Sequence, residues 1–321
     1  MGSAHVRVWR SLGHTVVGVV DPDERVRDRL PPDLDYYPTL GDLDRNAVPG
    51  RPEAVSICTP TAYHRDTAIE AMGLGYHCLI EKPVAPTVAD AEAIRVAADK
   101  AGVVVGVGQV ERFNPAVSAL KVALDAGELG EVFSMSSRRW SSMPGRVQDV
   151  GVLLDLGIHD LDVMRYLVGR EPVSVYAVVG GDTEVGDGVV REDRGSVVLD
   201  WGDGISGVVE VSWRVPRKVR ELAVTGSRGL ARLDFMAQRV GVSQSAWVGL
   251  EPGGWGGSPE VVERTLPVRG GEPLALELGA FADAVSGDSN HLVGLADGIG
   301  SLRLALAAVE SAKSGQPFHL R

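Results

Sequence analysis

Residues 153–167 carry apolar positions at helical spacing. Leu154, Ile158 and Leu161 make one apolar row, and Leu156, Val163 and Leu167 another. Between them runs a polar row of Asp155, His159, Asp162 and Tyr166. A helix apolar on both flanks is mostly buried, so this row must face partners, water or a cavity.

Upstream, short β-branched runs alternate with helical stretches. Residues 1–10 read as a helix with Val6, Trp9 and Arg10 along one side, and residues 15–20 as a strand ending at Asp21-Pro22. A short helix is expected over 23–30 and an extended piece over 36–40. The strand 53–58 runs into Thr59-Pro60-Thr61, and a helix from 63 to 74 is stopped by Gly75. The strand 76–80 ends at Glu81-Lys82-Pro83. A helix over 88–101, stopped by Gly102, leads to the strand 103–107. Buried strands alternating with helices predict a parallel sheet with right-handed crossovers. Ligands of such sheets gather outside the carboxyl ends of the strands, where Asp21, Thr59, Thr61, His64, Glu81 and Lys82 all fall.

After residue 110 the rhythm changes. Helices over 115–126 and 153–167 flank runs of period-2 alternation at 132–138, 173–179, 195–201, 205–213 and 220–225. Glycine-rich loops are expected at 181–190 and 252–259. Two late helices, 274–286 and 295–313, precede a short strand at 317–320. The expected architecture is an α/β dinucleotide-binding domain over 1–110, then an α+β domain over 111–321 built on a mainly antiparallel sheet. The late helices and final strand can pack back near the first domain.

The chain has 321 residues, comfortable for two domains, and its 44% hydrophobic and 23% charged residues describe an ordinary globular protein. A net charge of −11 argues against a nucleic-acid or anionic-membrane partner. Cys58 and Cys78 sit in apolar strand-like runs and read as reduced core residues of a cytoplasmic protein. No apolar stretch reaches transmembrane length.

Two groups carry candidate chemistry. An Asp one helical turn before a His, as in Asp155 and His159, can orient the imidazole and leave one nitrogen for proton transfer; a satisfied buried pair is the equal alternative. Lys82 is one of only five lysines against 27 arginines, at a strand end and restrained by Pro83. It can hydrogen-bond a hydroxyl and stabilise developing alkoxide charge, although a surface lysine in a strand-to-helix turn is the commoner case.

Thr59-Pro60-Thr61 with His64, then Glu81-Lys82-Pro83, then Asp155 with His159 resembles, in order and spacing, the Gfo/Idh/MocA oxidoreductase family. The Glu-Lys-Pro triplet after a strand is the most specific piece. The resemblance implies an N-terminal Rossmann domain binding NAD, with NADP as the alternative, and a C-terminal sheet domain that holds substrate and pairs subunits into a homodimer or homotetramer. It implies that Lys82 polarises a sugar hydroxyl, that His159 is the general base in oxidation, and that Asp155 positions both. Gly2, Asp21, Pro22, Thr59, Pro60, Thr61, His64 and Glu81, together with Lys82, would line the cofactor. A carboxylate at Asp21 favours two free ribose hydroxyls, hence NAD, while Arg25 a turn later softens that preference.

Residues 109–115 and 215–222 are similar to the family's nucleotide-sugar branch, which oxidises C3 of UDP-N-acetylglucosamine. That branch implies substrate contacts from Arg112, Asn114, Arg139 and Arg146, since arginine pairs well with a diphosphate. Gln109 stands where those relatives more often carry His. Gly2 looks like the third glycine of the family's glycine-rich turn, so a start upstream of Met1 is expected, with the chain as given inactive if so. NAD-dependent glycoside hydrolysis and a non-catalytic nucleotide or sugar sensor are the competing functions on the same fold.

Overall fold

The structure, a computed structural model, describes residues 1–48, 50–143, 150–181, 183–184, 188–248, 258–288 and 291–320. In chain order it begins α1 (Gly2–Ser11), β1 (Val19–Val20), β2 (Tyr36–Tyr37), α2 (Leu40–Asn46), β3 (Ala54–Ile57), α3 (His64–Gly73), β4 (His77–Glu81), α4 (Val88–Ala101) and β5 (Val105–Gly108). Next come α5 (Pro115–Asp125), β6 (Val132–Ser142), a π-helical turn Leu153–Gly157, α6 (Ile158–Val168), β7 (Ser174–Gly180), β8 (Thr183–Glu184), β9 (Val190–Arg191), β10 (Arg194–Asp200) and β11 (Ser206–Ser212). The chain continues with β12 (Arg214–Gly226), β13 (Gly229–Asp234), β14 (Arg239–Val248), β15 (Ser258–Thr265), α7 (Pro273–Val285), α8 (Leu295–Ser314) and β16 (Phe318–His319). It divides into two compact units, Met1–Gln109 with Leu274–Ile299, and Val110–Pro273 with Gly300–Arg321.

In the first unit β3, β4 and β5 form a parallel three-stranded sheet, and β1 and β2 a separate parallel pair. The helices between the strands start and stop where local chemistry dictates. Thr87 caps α4 by accepting from the Asp90 N–H, and Gly102 ends it at φ +66°, a conformation that costs glycine nothing. The late segment completes this unit: Val107 N–H donates to the Val293 carbonyl at 2.8 Å, and a Cβ on Gly298 would stand 2.7 Å from Val107, so only glycine lets the start of α8 lie there.

Several sequence expectations change here. The strand expected over 15–20 pairs only at Val19–Val20, and the expected 23–30 helix is a 3-10 turn at Glu24–Arg29. The extended piece expected at 36–40 pairs as β2 only at Tyr36–Tyr37, and α2 follows from Leu40, its start fixed by Thr39 accepting from the Asp42 N–H. In α1 the buried face is His5 and Val8, not Val6 and Arg10.

The second unit is one nine-stranded sheet in the order β15-β14-β13-β12-β6-β11-β10-β7-β16. Every pairing is antiparallel except β11 with β6. One face is buried through strict alternation: Val175 and Ala177, Val197 and Leu199, Val209 and Val211, Leu222 and Val224, Ala231 and Leu233, Val240 and Val242. Against it pack Ala116, Val117 and Leu120 of α5, Ile158, Leu161 and Met164 of α6, and Leu304, Ala305 and Ala308 of α8. Strands β13, β14 and β15 and the amino half of β12 go beyond the sequence expectation. The helix expected over 153–167 opens with the π turn Leu153–Gly157 before α6.

Inside this core lies a buried charge cluster. The Arg139 guanidinium, 1% exposed, donates to Asp160 and, at 2.7 Å, to Glu111, with the Phe235 ring 5.0 Å from its centre. Burial opposes charge on Arg139, but Asp160 and Glu111 hold the proton on. Burial likewise opposes ionisation of Glu111, yet the Arg139 charge holds that carboxyl below its usual range. Removing the cation strands two carboxylates away from water. Arg139→Met is therefore expected to lower stability by about 3–5 kcal/mol, read by urea unfolding, and a loss under about 1 kcal/mol contradicts this role.

Candidate active site

Of the expected cofactor residues, Thr59, Pro60 and Thr61 follow β3, and Glu81 and Lys82 stand at the end of β4. Glu81, the last residue of β4, is buried, and its carboxylate accepts from His5 Nε2 at 2.8 Å. The neighbouring strand can approach because β5 ends in Gly108, where a Cβ would come within 3.2 Å of the Glu81 Cα and carboxylate. His5 was not singled out by its sequence; its partner lies 76 residues away. It faces inward because α1 rests on β3, with Trp9 Nε1 donating to Ser56 Oγ at 2.9 Å and its ring edge-on to Phe281.

Lys82 follows Glu81 and is half-buried, and the Lys82–Pro83 peptide is cis. The loop is tied down by His64, whose ring lies between two backbone carbonyls, Pro83 O at 2.8 Å from Nδ1 and Thr59 O at 2.9 Å from Nε2. His64 is 1% exposed with both nitrogens so placed. Its side chain thus clamps the loops after β3 and β4 instead of lining a cofactor surface, a correction to the expectation. Thr61 is buried, Pro60 and Pro22 are exposed, and Asp21 ends β1 half-buried, one oxygen accepting from the Asp23 N–H at 2.9 Å. Arg25 is turned away into a paired contact with Asp23. Strong hydrogen bonds to Arg25 hold the Asp23 carboxyl below its ordinary range.

A third acid completes this region. Glu277 of α7 is 2% exposed, and neither carboxylate oxygen has a hydrogen-bond partner among the described residues. Burial, reinforced by the Glu81 charge, pushes its carboxyl well above the usual range. Cys58 and Cys78 are free thiols; burial pushes Cys78 up to about 12 and Cys58 higher still.

The residues at these strand ends fit a dinucleotide. Thr59 Oγ1 is buried with no partner among the described residues, and the half-buried Asp21 follows β1 directly.

In the second unit the π turn changes the geometry expected of the Asp155–His159 pair. Asp155 lies within the π turn, and His159 lies in the α-helix that follows it. Asp155 is 2% exposed, while His159, the second residue of α6, is half-buried. Farther along, Asp162 receives two hydrogen bonds of 2.7 Å from Arg112 and one of 3.1 Å from Arg165. The Tyr166 ring sits 5.2 Å from the Arg112 guanidinium. That half of the polar row is structural.

Three expected substrate contacts are corrected for the same reason. Arg112 is held by Asp162 with little exposure, and Arg139 is enclosed by Glu111 and Asp160. Asn114 is 2% exposed, caps α5 through the Ala116 N–H, and donates to the Phe235 carbonyl at 3.1 Å. All three side chains are committed inside the unit. Arg146 lies outside the described residues. Arg220, not singled out by itself in the sequence, is half-buried with its guanidinium 3.6 Å from Glu111. Burial, then repulsion from Arg139, weaken its hold on its proton.

Residues 1–109 match the oxidoreductase family with an NAD-binding Rossmann fold, and residues 117–232 match the GFO/IDH/MocA C-terminal domain. The UDP-N-acetylglucosamine 3-dehydrogenase of Acidithiobacillus ferrooxidans is 30% identical over 258 residues, 80% of this chain and 77% of that protein. The scyllo-inositol 2-dehydrogenase (NAD(+)) of Bacillus subtilis is 28% identical over 279 residues, 84% of this chain and 78% of its own. A solved structure of the Acidithiobacillus enzyme superposes with a TM-score of 0.81, at 25% identity, over 98% of this chain and 94% of that one. With both halves matched and the strand-end acids in place, the chain belongs to the Gfo/Idh/MocA family of NAD-binding oxidoreductases.

Proposed function

We propose that this protein is an NAD-dependent dehydrogenase that oxidises a ring hydroxyl of a nucleotide sugar, with C3 of UDP-N-acetylglucosamine as the leading candidate. The observation that carries the substrate is the 30% identity to the Acidithiobacillus enzyme across most of both chains. Residue types at the expected positions support the chemistry.

Bound NAD supplies the hydride acceptor. Asp21 holds the adenosine ribose hydroxyls, Thr59 and Thr61 line the path, and Glu81, steadied by His5, meets the nicotinamide ribose. Lys82 donates a hydrogen bond to the reacting hydroxyl and stabilises the alkoxide as its proton leaves. His159 receives that proton, and Asp155 holds the imidazole and a substrate hydroxyl in place. With Arg112 and Arg139 enclosed, diphosphate recognition passes to the exposed Arg217 and Lys218 and the half-buried Arg220 of β12.

The outer face of the large sheet is proposed as a pairing surface. Tyr176, Val198 and Val208 lie side by side across β7, β10 and β11, each 37–43% exposed, with Val178 beside them at 56%. An apolar row of this kind fits a second copy of the chain better than it fits water.

NADH formation from NAD+ and UDP-N-acetylglucosamine tests the main reading. Turnover is expected, falling about 10²-fold or more in Lys82→Ala and in His159→Ala. NADH from scyllo-inositol but not from the nucleotide sugar overturns the substrate assignment. Asp21→Ala is expected to erode the preference for NAD over NADP, and an unchanged ratio of kcat/KM values contradicts the role given to that acid. For the pairing surface, sedimentation of Val198→Glu should show a smaller species than the parent with unchanged circular dichroism; identical sedimentation removes this face as the interface.

A further inference from the structure

The buried group at the ends of β3 and β4 has more donors than a dinucleotide ribose requires. A ring nitrogen of His5, Sγ of Cys58 and a carboxylate oxygen of Glu81 lie within 4.8 Å of one another. They arrive from three separate elements: the inward face of α1, the residue after β3, and the last residue of β4. Glu277 comes from a fourth, the buried face of α7 that also carries Leu274, Leu278 and Phe281. Its carboxyl is near enough to Glu81 and Cys58 to act on both electrostatically, and it makes no hydrogen bond among the described residues. An imidazole, a thiol and a carboxylate are thus gathered with little access to water.

We propose that His5, Cys58 and Glu81 form a binding site for one divalent transition-metal ion of the Zn2+ type. One nitrogen, one sulfur and one oxygen make a three-donor set that a water completes to tetrahedral coordination. Bonds of about 2.0–2.3 Å place tetrahedral donors roughly 3.3–3.8 Å apart, so the present spread closes with side-chain shifts of about an ångström. Thiolate and imidazole select a borderline-soft ion over Mg2+ or Ca2+, which prefer oxygen alone. The ion also supplies the positive charge that a buried carboxyl otherwise lacks. Because Glu81 is a ligand, the ion and a nicotinamide ribose compete for it. The site stands on geometry within the first unit and does not depend on which sugar the enzyme oxidises.

Titration of the chelator-treated full chain with Co2+ tests this, since a cobalt–thiolate bond has its own charge-transfer absorption and needs no turnover to be seen. One equivalent of Co2+ is expected to produce that band, and Zn2+ to abolish it. Cys58→Ser should lose the band and Cys78→Ser keep it. His5→Gln removes the imidazole donor and should weaken Co2+ binding by at least about tenfold with circular dichroism unchanged. Absence of the band in the parent, its survival in Cys58→Ser, or parent-like affinity in His5→Gln each overturns the site.

Discussion

The hydrogen bond from His5 to Glu81, 2.8 Å long and shut away from water, fixes the chemical end of the first unit. A carboxylate at the end of a buried parallel strand is costly unless something answers its charge. His5 answers it from α1, Gly108 leaves room for it on β5, and Lys82 follows it directly. His64 then locks the next residues by holding the Thr59 and Pro83 carbonyls. Loops at strand ends are usually the mobile part of an α/β protein. Here the two that carry Thr59 and Lys82 are tied to each other by one ring, so the groups they present are already in place before a ligand arrives.

The second unit solves a different problem with the same means. Its helices lie on a largely apolar sheet face, yet α6 carries Asp160, Asp162 and Arg165, all buried. Each acid has found a guanidinium: Asp160 with Arg139, Asp162 with Arg112 and Arg165. These pairs contribute less to net stability than to register, because a one-residue shift of α6 would strand charges in hydrocarbon. The π turn ahead of α6 acts within this constraint. The ion pairs fix α6, and the π turn Leu153–Gly157 leads into it, with Asp155 buried and His159 half-buried. Such turns recur at functional sites.

What could be read from the sequence follows from how local each signal is. The helix α4 was legible to the residue because Thr87, an apolar stripe and Gly102 are all local. Strands β7, β10 and β11 announced themselves by alternation against a single buried face. The helix α2 carried its own start signal, Thr39 three residues before Asp42, but only seven residues follow and their apolar content is low. The amino half of β12 lacks alternation, and β14 with β15 is defined by strand pairing and not by a local pattern. The strand-end acids and Lys82 were legible because sheet topology assigns a meaning to the end of a strand. The partners that decide the fate of Arg112 and Arg139 lie 50 and 21 residues away, and no pattern marks which of 27 arginines is enclosed. His5 and Glu277 were hidden for the same reason: each is one polar residue on a mostly apolar helix face.

The enclosure of those arginines redirects attention to β12. Its pairing with β6 passes from Arg214 opposite Ser142 to Val219 opposite Trp140, so β12 advances five residues while β6 advances two. Three surplus residues cannot lie flat in a ladder, and the strand must bulge. The bulge holds Val215-Pro216-Arg217-Lys218, and Pro216 cannot donate to a ladder bond in any case. Regular β12 would turn alternate side chains into the core; the irregular stretch leaves Arg217 and Lys218 exposed just before the half-buried Arg220. Bulges of this kind re-aim side chains near sites, and this one concentrates cations on an otherwise acidic protein of net charge −11. Under the function proposed above, these cations are where the diphosphate of a nucleotide sugar is drawn, and a neutral polyol has no use for them, so the bulge is the feature on which that proposal and the polyol alternative differ.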